Sequence, residues 1–324
     1  MKPRAFVTRK VYPQAVAILQ EDCVVDYRDT LEIADPETLR KKLQHANGVV
    51  CQLTDAMTDE LMAAAPKLKV ISQVAVGYDN IDVAAATRRG IVVTNTPGVL
   101  TESTADLTFA LLLGVARRVT EAERYLRAGK WKRWDIDLLA GIDLSGKTLG
   151  IVGMGRIGKA VARRARGFSM RILYSSPTPL SDAEAAELGA QHVPLRALLQ
   201  HSDFVTLHVP YRESTHHLIG IDELSVMKRG AFLVNTSRGP IVHEAALVAA
   251  LEEGMLSGAG LDVFEEEPKV HEGLLARDNV MLLPHIGSAT IATRTRLCTL
   301  AAENCVAVLK GERPKNPVNP SVLG

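Results

Sequence analysis

The sequence predicts an α/β protein built as two doubly wound parallel sheets. Three observations carry that expectation. Short β-type runs alternate with helical patterns from the N-terminus onward, a second alternating series opens at "KTLGIVGMG", and 324 residues exceed the usual size of one compact core. In the first series "RAFVT", "CVVDY", "GVVCQL", "KVISQVAV" and "IVVTNT" read as strands, with "PQAVAILQED", "PETLRKKLQHA", "TDELMAAAP" and "NIDVAAATRRG" as the helices between them. Such βαβ repetition gives a parallel sheet with helices on both faces. Thr101, a candidate N-cap with Glu102 in the first turn, opens a long helix that is apolar nearly all round from Leu107 to Val115 and therefore belongs in an interior or an interface.

The second series runs through "MRILYSS", "QHVPL", "DFVTLHVP", "AFLVNTS", "LSGAGLDVF" and "VMLLPH", with helices such as "HEAALVAALEEG" between strands. A last helix, Ile291 to Lys310, places Ile291, Leu297, Leu300, Ala301, Cys305, Val308 and Leu309 on one apolar stripe, closed by Gly311 and Pro314. Two such units are expected to leave a cleft between them.

Charge and composition narrow the partner. Thirty-eight basic against 37 acidic residues leave a net charge of +1, with no electrostatic footprint for nucleic acid or an anionic membrane, so the expected partner is a small molecule. Cys23, Cys51, Cys298 and Cys305 lack CxxC spacing and lie in apolar surroundings, as buried thiols in a reducing compartment do, and no metal site is expected. "MKPRAFVT" enters a strand directly, without a signal-peptide pattern, and the most apolar helix falls short of the ~20 residues a bilayer span needs. A cytoplasmic protein is expected.

The strongest local signal is "TLGIVGMGRIGKAVARRARGF". Gly153 permits a tight turn after a strand, Gly155 lets backbone approach a pyrophosphate, and Gly158 allows close packing of the helix whose N-terminus supplies partial positive charge. That is a dinucleotide site. The acidic residue expected about 20 positions on, which hydrogen-bonds the adenosine ribose of NAD, is absent: the strand ends in Ser175 and Ser176, followed by Thr178. With no carboxylate to repel it a 2′-phosphate is tolerated, although Arg171 sits at the wrong end of the strand to clamp it. The cofactor is NADP or NAD, with NADP favoured.

Three further strands each deliver a titratable residue at their carboxyl end. "AFLVNTSRG" delivers Arg238, "GAGLDVFEEEP" delivers Asp262 and then Glu265 to Glu267, and "VMLLPHIGS" delivers His285. Ligands of open α/β sheets bind beyond those ends, so the three converge where a cofactor's reactive ring would lie.

"GMGRIG", "NTSRG", "GAGLDVFEEEP" and "LLPHIGSAT", in this order, resemble the D-isomer-specific 2-hydroxyacid dehydrogenases, and among them the glyoxylate and hydroxypyruvate reductases. The resemblance extends over the chain through "VAVGYDNID", "LTESTADLTFALLL" and "NPVNP". It implies a flavodoxin-like substrate domain formed by residues 1–99 and 290–324, a Rossmann cofactor domain at 100–289, and a homodimer made through the cofactor domains. It also implies roles. Arg238 orients the substrate, His285 is the acid/base, and Glu267, by spacing from Asp262, is the carboxylate that raises the imidazole pKa and holds the ring, while Glu265 and Glu266 are structural.

Thr104, Arg156, Ile157, Pro210, Thr215, Thr236 and Asp262 match cofactor-touching positions of the family, alongside Gly153, Gly155, Gly158, Ser175 and Ser176. Leu53 would line the substrate pocket. For the backbone N–H groups of Val76 and Gly77 two readings stand, a carboxylate cradle or a plain strand-to-helix turn. Trp134 likewise reads either as a residue lent to the partner's active site or as an ordinary interface aromatic. Val76 stands where related phosphite dehydrogenases carry lysine, and "CQLTD" lacks the arginine with which phosphoglycerate dehydrogenases hold phosphate. The expected activity is NAD(P)H-dependent reduction of a small unphosphorylated 2-oxo acid, glyoxylate or hydroxypyruvate, to the D-2-hydroxy acid. A cofactor-sensing corepressor of the same fold, or a phosphite or formate dehydrogenase, is the alternative.

Overall fold

The computed structural model describes residues 2–324 and divides into two compact units, residues 2–100 with 289–324, and residues 101–288. Along the first unit run β1 (Arg4–Val7), α1 (Pro13–Asp22), β2 (Val24–Tyr27), α2 (Pro36–Leu43), β3 (Gly48–Cys51), α3 (Asp59–Ala63), β4 (Val70–Gln73), α4 (Val83–Arg88) and β5 (Val92–Thr94). The second unit contains α5 (Thr101–Ala116), α6 (Val119–Arg127), β6 (Thr148–Val152), α7 (Arg156–Gly167), β7 (Arg171–Ser175), α8 (Asp182–Leu188), β8 (Ala190–His192), α9 (Leu195–His201) and β9 (Phe204–Leu207). It continues with α10 (Ile221–Val226), β10 (Ala231–Asn235), α11 (Glu244–Glu252), β11 (Leu256–Leu261), α12 (Glu272–Leu275) and β12 (Val280–Leu282). The chain then re-enters the first unit as α13 (Ile291–Leu309).

Both sheets are wholly parallel. The first has five strands in the order β2-β1-β3-β4-β5, the flavodoxin-like arrangement, and the second has seven in the order β12-β11-β10-β9-β6-β7-β8, a Rossmann order extended by one strand. The fold class expected from the alternation is the one observed.

Parallel strands need cover on both faces, and residue alternation supplies it. In β9, Phe204 packs with Phe109 of α5 and Tyr174, whereas Val205 and Leu207 face the opposite core with Leu247 of α11. In the first unit Phe6, Val49, Ile71 and Val93 fill one face, while Val7, Val50 and Val70 meet Cys298, Ala301 and Cys305 of α13 on the other. That second face explains why the first unit is discontinuous: without α13 these strands would lie open, and the Ser72 hydroxyl would lose its 2.6 Å hydrogen bond to the Ala301 carbonyl. The expected stripe on α13 needs one correction. Ile291 is 77% exposed, because the helix meets the sheet only from Leu297 onward. All four cysteines are buried and free. Among the described residues no helix is long and apolar enough to cross a membrane.

Gly158 shows how tightly α7 seats on its own turn, since a Cβ there would overlap the Gly153 carbonyl oxygen. Gly158→Ala is therefore expected to destabilise. Overpacking against backbone costs about 3 kcal/mol and outweighs the ~1 kcal/mol that alanine gains over glycine in a helix. A denaturant-unfolding midpoint equal to or above that of the wild type would contradict this packing.

Candidate active site

The glycine turn after β6 has the three properties its sequence implies. Gly153 has φ +96°, and any side chain on it would collide with His208 and Val209 at the end of β9. Gly155, the N-cap of the 12-residue α7, has nothing within 4 Å of the position a Cβ would take, leaving its approach open to a ligand. The first turn of α7 carries no acidic residue, so its unpaired N–H groups and dipole face that open space uncompensated. These residues fit a pyrophosphate. Arg156 is exposed and Ile157 half-buried beside them.

At the end of β7 the Ser175 carbonyl accepts the Gly153 N–H at 2.8 Å, joining this strand end to the glycine turn. Ser175 and Ser176 are half-buried, and the His192 ring nitrogen lies 3.2 Å from the Ser176 carbonyl. The nearest following carboxylates belong to α8, where Glu184 pairs with Lys159, and Arg171 at the other end of β7 is bound to the Thr148 hydroxyl at 2.9 Å. Thr104 donates to the Gly287 carbonyl at 3.2 Å, and Thr108 joins it to Thr236, with both Thr104 and Thr236 buried. Pro210 is exposed, and its carbonyl accepts the Thr215 hydroxyl at 2.8 Å.

Arg238, Asp262 and His285 follow β10, β11 and β12, which are neighbours in the sheet, so the three chain ends emerge side by side. After β10 the buried Asn235 shapes the turn: its Oδ1 accepts the Ser237 N–H at 3.0 Å and its Nδ2 donates to the Arg238 carbonyl at 2.8 Å. Gly239 then passes so close to the Phe264 carbonyl and the Glu265 nitrogen that a Cβ would overlap both.

After β11, Asp262 is 1% exposed. Its two carboxylate oxygens accept the Ile286 and Gly287 N–H groups, each at 2.7 Å, while its carbonyl accepts the His285 N–H at 2.9 Å. Burial pushes this carboxyl above its ordinary range, against the pull of those two N–H donors.

His285 itself has φ +53°, a left-handed conformation that costs a non-glycine residue roughly 1–2 kcal/mol. The Asp262 contacts hold it there and aim the ring at Glu267. His285 Nδ1 lies 2.8 Å from Glu267 Oε2, and Glu267 Oε1 accepts the Phe264 N–H at 3.0 Å. Burial raises the Glu267 carboxyl, but the His285 hydrogen bond and charge, the Phe264 N–H and the Arg238 charge together bring it below the usual range. The carboxylate is ionised at neutral pH and engages Nδ1 of His285, leaving Nε2 outside this contact. Glu265 and Glu266 take other partners: Glu265 binds His217 and the Glu244 backbone, Glu266 the exposed Lys269.

In the first unit the Val76–Gly77 loop follows β4. The Ala75 carbonyl accepts the Thr96 N–H at 2.9 Å and the Val76 carbonyl accepts Asn95 Nδ2 at 2.8 Å. Because N–H and C=O are trans within a planar peptide, pinning both carbonyls on one side turns the Val76 and Gly77 N–H groups to the other. Asn80 ties this loop to the one carrying half-buried Leu53, through bonds to the Gln52 and Asp55 carbonyls at 3.1 and 2.7 Å.

Two features escaped the sequence. His208, at the end of β9, has its Nε2 buried, and burial lowers its pKa to about 3, so it is neutral. The His217 and Glu265 pair is a second histidine–carboxylate contact. Trp134 is 73% exposed, in a segment where Trp131 and Ile136 are exposed as well.

Residues 109–287 match the family model of the D-isomer specific 2-hydroxyacid dehydrogenase NAD binding domain. Over its full length the chain is 52% identical to a glyoxylate reductase of Korarchaeum cryptofilum, covering 98% of that protein, and 49% identical to one of Thermococcus litoralis, with the same coverage. Among solved structures, the TT0316 protein of Thermus thermophilus superposes with a TM-score of 0.91 at 47% identity, covering 97% of this chain and 99% of that one. The NADPH-dependent glyoxylate/hydroxypyruvate reductase of Sinorhizobium meliloti, in complex with NADP and malonate, gives 0.89 at 38% identity, covering 98% and 97%.

Replacing Glu267 by glutamine removes the ionised acceptor that holds His285 Nδ1. The kcat for reduction is expected to fall in Glu267→Gln, with His285→Ala as the limiting case that forfeits ~10²–10⁴-fold in rate. A wild-type kcat in the glutamine variant would rule out the coupling.

Proposed function

Since the chain belongs to the D-isomer specific 2-hydroxyacid dehydrogenase family, of glyoxylate reductase type, and is an NAD(P)-dependent dehydrogenase that reduces a 2-oxo acid, we propose that its substrate is glyoxylate or hydroxypyruvate and its product the D-2-hydroxy acid. The observation that carries this reading is the 2.8 Å His285–Glu267 contact beside Arg238 on a neighbouring strand end.

Reduced nicotinamide, when bound, supplies the hydride. Gly153, Gly155, Gly158, Arg156 and Ile157 hold the pyrophosphate, Ser175 and Ser176 the adenosine ribose, and Thr104, Pro210, Thr215, Thr236 and Asp262 line the remaining length. Arg238 presents its planar fork to the substrate carboxylate and polarises the adjacent carbonyl. His285 Nε2 gives a proton to the carbonyl oxygen as that oxygen gains charge, and takes one back in the reverse direction. Glu267 holds Nδ1 and offsets the imidazolium charge. In the first unit Val76 and Gly77 carry paired N–H groups suited to a carboxylate, with Leu53 on the loop tied to theirs by Asn80.

The missing ribose carboxylate favours NADP over NAD. Exposed Trp131, Trp134 and Ile136 support a homodimer through the second unit, and the four buried free thiols support a cytoplasmic location.

Initial rates with NADPH and NADH against glyoxylate, hydroxypyruvate, pyruvate and phosphite test the reading. Turnover of the first two with NADPH preferred is expected, and no turnover of either acid would refute the substrate assignment. In the same assay Ser176→Asp is expected to shift preference toward NADH; retained NADPH affinity would place the 2′-phosphate elsewhere.

A further inference from the structure

The acidic run Glu265–Glu267 supplies the site with one carboxylate through its third member, yet its first member is the better connected. Glu265 Oε1 meets His217 Nε2, its Oε2 accepts the Glu244 N–H at 3.1 Å, and its own N–H donates to Glu244 Oε1 at 2.7 Å. One residue thus joins three segments. The first is the 210–217 loop, where the Thr215 hydroxyl is bonded to the Pro210 carbonyl. The second is the stretch from Arg238 to the start of α11, which receives the His217 N–H on the Pro240 carbonyl at 2.8 Å. The third is the loop from Phe264 to Glu267, whose Phe264 N–H is held by Glu267 itself at 3.0 Å.

These segments contain no strand or α-helix, only the short 3₁₀ turns Glu213–Thr215 and Gly239–Ile241, so side-chain ties such as this one and the Ser237 hydroxyl on the Val209 carbonyl hold them together. Charge-assisted hydrogen bonds are roughly twice as strong as neutral ones, so a carboxylate accepting from two directions is an effective tie. The contact is also tight. Gly239, directly after Arg238, leaves no room for a Cβ against Phe264 and Glu265, so a shift of the Glu265 loop moves the backbone behind Arg238 as well. His217 is braced in turn: its ring stacks on His216 at 3.8 Å and meets His243 edge-on at 4.6 Å, and its φ is +48°. The charged and titratable groups around the tie are His216, His217, His243, Glu244 and His271. Burial raises the Glu265 carboxyl, but His217 and the Glu244 N–H outweigh it, so Glu265 stays ionised, whereas burial and the Glu265 charge raise the carboxyl of Glu244.

We propose that Glu265 is a positioning residue for the reduction: its tie to His217 and Glu244 sets the placement of Glu267 and of the cofactor-side 210–217 loop together. This rests on the reading of Glu267, His285 and Arg238 as the reducing machinery. Glu265 touches none of the reacting atoms in that reading and acts through Glu267.

Steady-state kinetics of E265A, E265Q and H217N, with H285A alongside, test it. Misplacement of about 1 Å can cost up to ~100-fold. E265A is expected to lose about tenfold in kcat, in that range, and to show a raised KM for NAD(P)H with the KM for glyoxylate unchanged. E265Q keeps an acceptor for the Glu244 N–H and is expected to recover most of the loss. H217N, in which asparagine tolerates the left-handed backbone, should show the same pattern more weakly, and serves if E265A does not fold.

Wild-type kcat and cofactor KM in folded E265A, or in H217N where E265A is unfolded, would overturn the proposal. So would equal losses in E265A and E265Q with equal falls in melting temperature, which would make the role structural only. An H285A variant with full activity would instead refute the underlying reading, whereas a silent E265A beside an inactive H285A refutes the tie alone.

Discussion

The second unit depends on a carboxylate that is almost completely withdrawn from solvent. Asp262 terminates β11 and spends both oxygens on the N–H groups of Ile286 and Gly287, and its carbonyl on that of His285. Burying a charge is expensive unless every lone pair finds a donor, and here the donors belong to the loop that must be immobilised. Bonds to a charged acceptor contribute about 1.5–3 kcal/mol each, enough to offset the roughly 1–2 kcal/mol of left-handed backbone at His285. The imidazole is therefore aimed by a neighbouring strand before any ligand arrives.

Everything else about the site follows from strand order. Because β10, β11 and β12 are adjacent and parallel, one edge of the sheet presents Arg238, Asp262 and His285 in a row, and the loop after β11 carries Glu267 back to the imidazole. The chain reverses its direction of growth between β6 and β9, where the Gly153 turn packs against His208, and such a switch point is where open sheets bind their ligands. The glycine turn and the His285–Glu267 pair thus occupy carboxyl ends of the same seven strands. The first unit uses the same device at smaller scale: side-chain amides of Asn95 and Asn80 pin carbonyls, and peptide planarity turns the opposing N–H groups outward.

What was legible in the sequence was whatever a residue type demands locally. Alternation of apolar runs announced both sheets, since a strand buried on two faces has no other composition. Gly153 and Gly158 could be assigned because a positive φ and a backbone contact exclude every other residue. His285 and Glu267 became legible once strand ends were located. Long-range partnerships between side chain and backbone were not. Asp262 and its acceptor role for residues 24 and 25 positions later follow no period, nor does the link between Glu265 and His217 across 48 residues. Asn235 and His208 look like ordinary members of strand-end runs, and only geometry shows that one folds the Arg238 turn and the other sits neutral behind the glycine turn. Ile291 was misassigned because helical periodicity reports a face but not where along a helix the partner begins.

Native-state amide hydrogen exchange at Ile286 and Gly287 measures the Asp262 constraint directly. In Asp262→Asn one oxygen becomes an NH₂ group facing an N–H donor, so protection at Gly287 or Ile286 should fall by orders of magnitude while core amides such as Leu233 keep theirs. Wild-type protection at both amides in that variant would show that the loop carrying His285 is held by something other than the buried carboxylate.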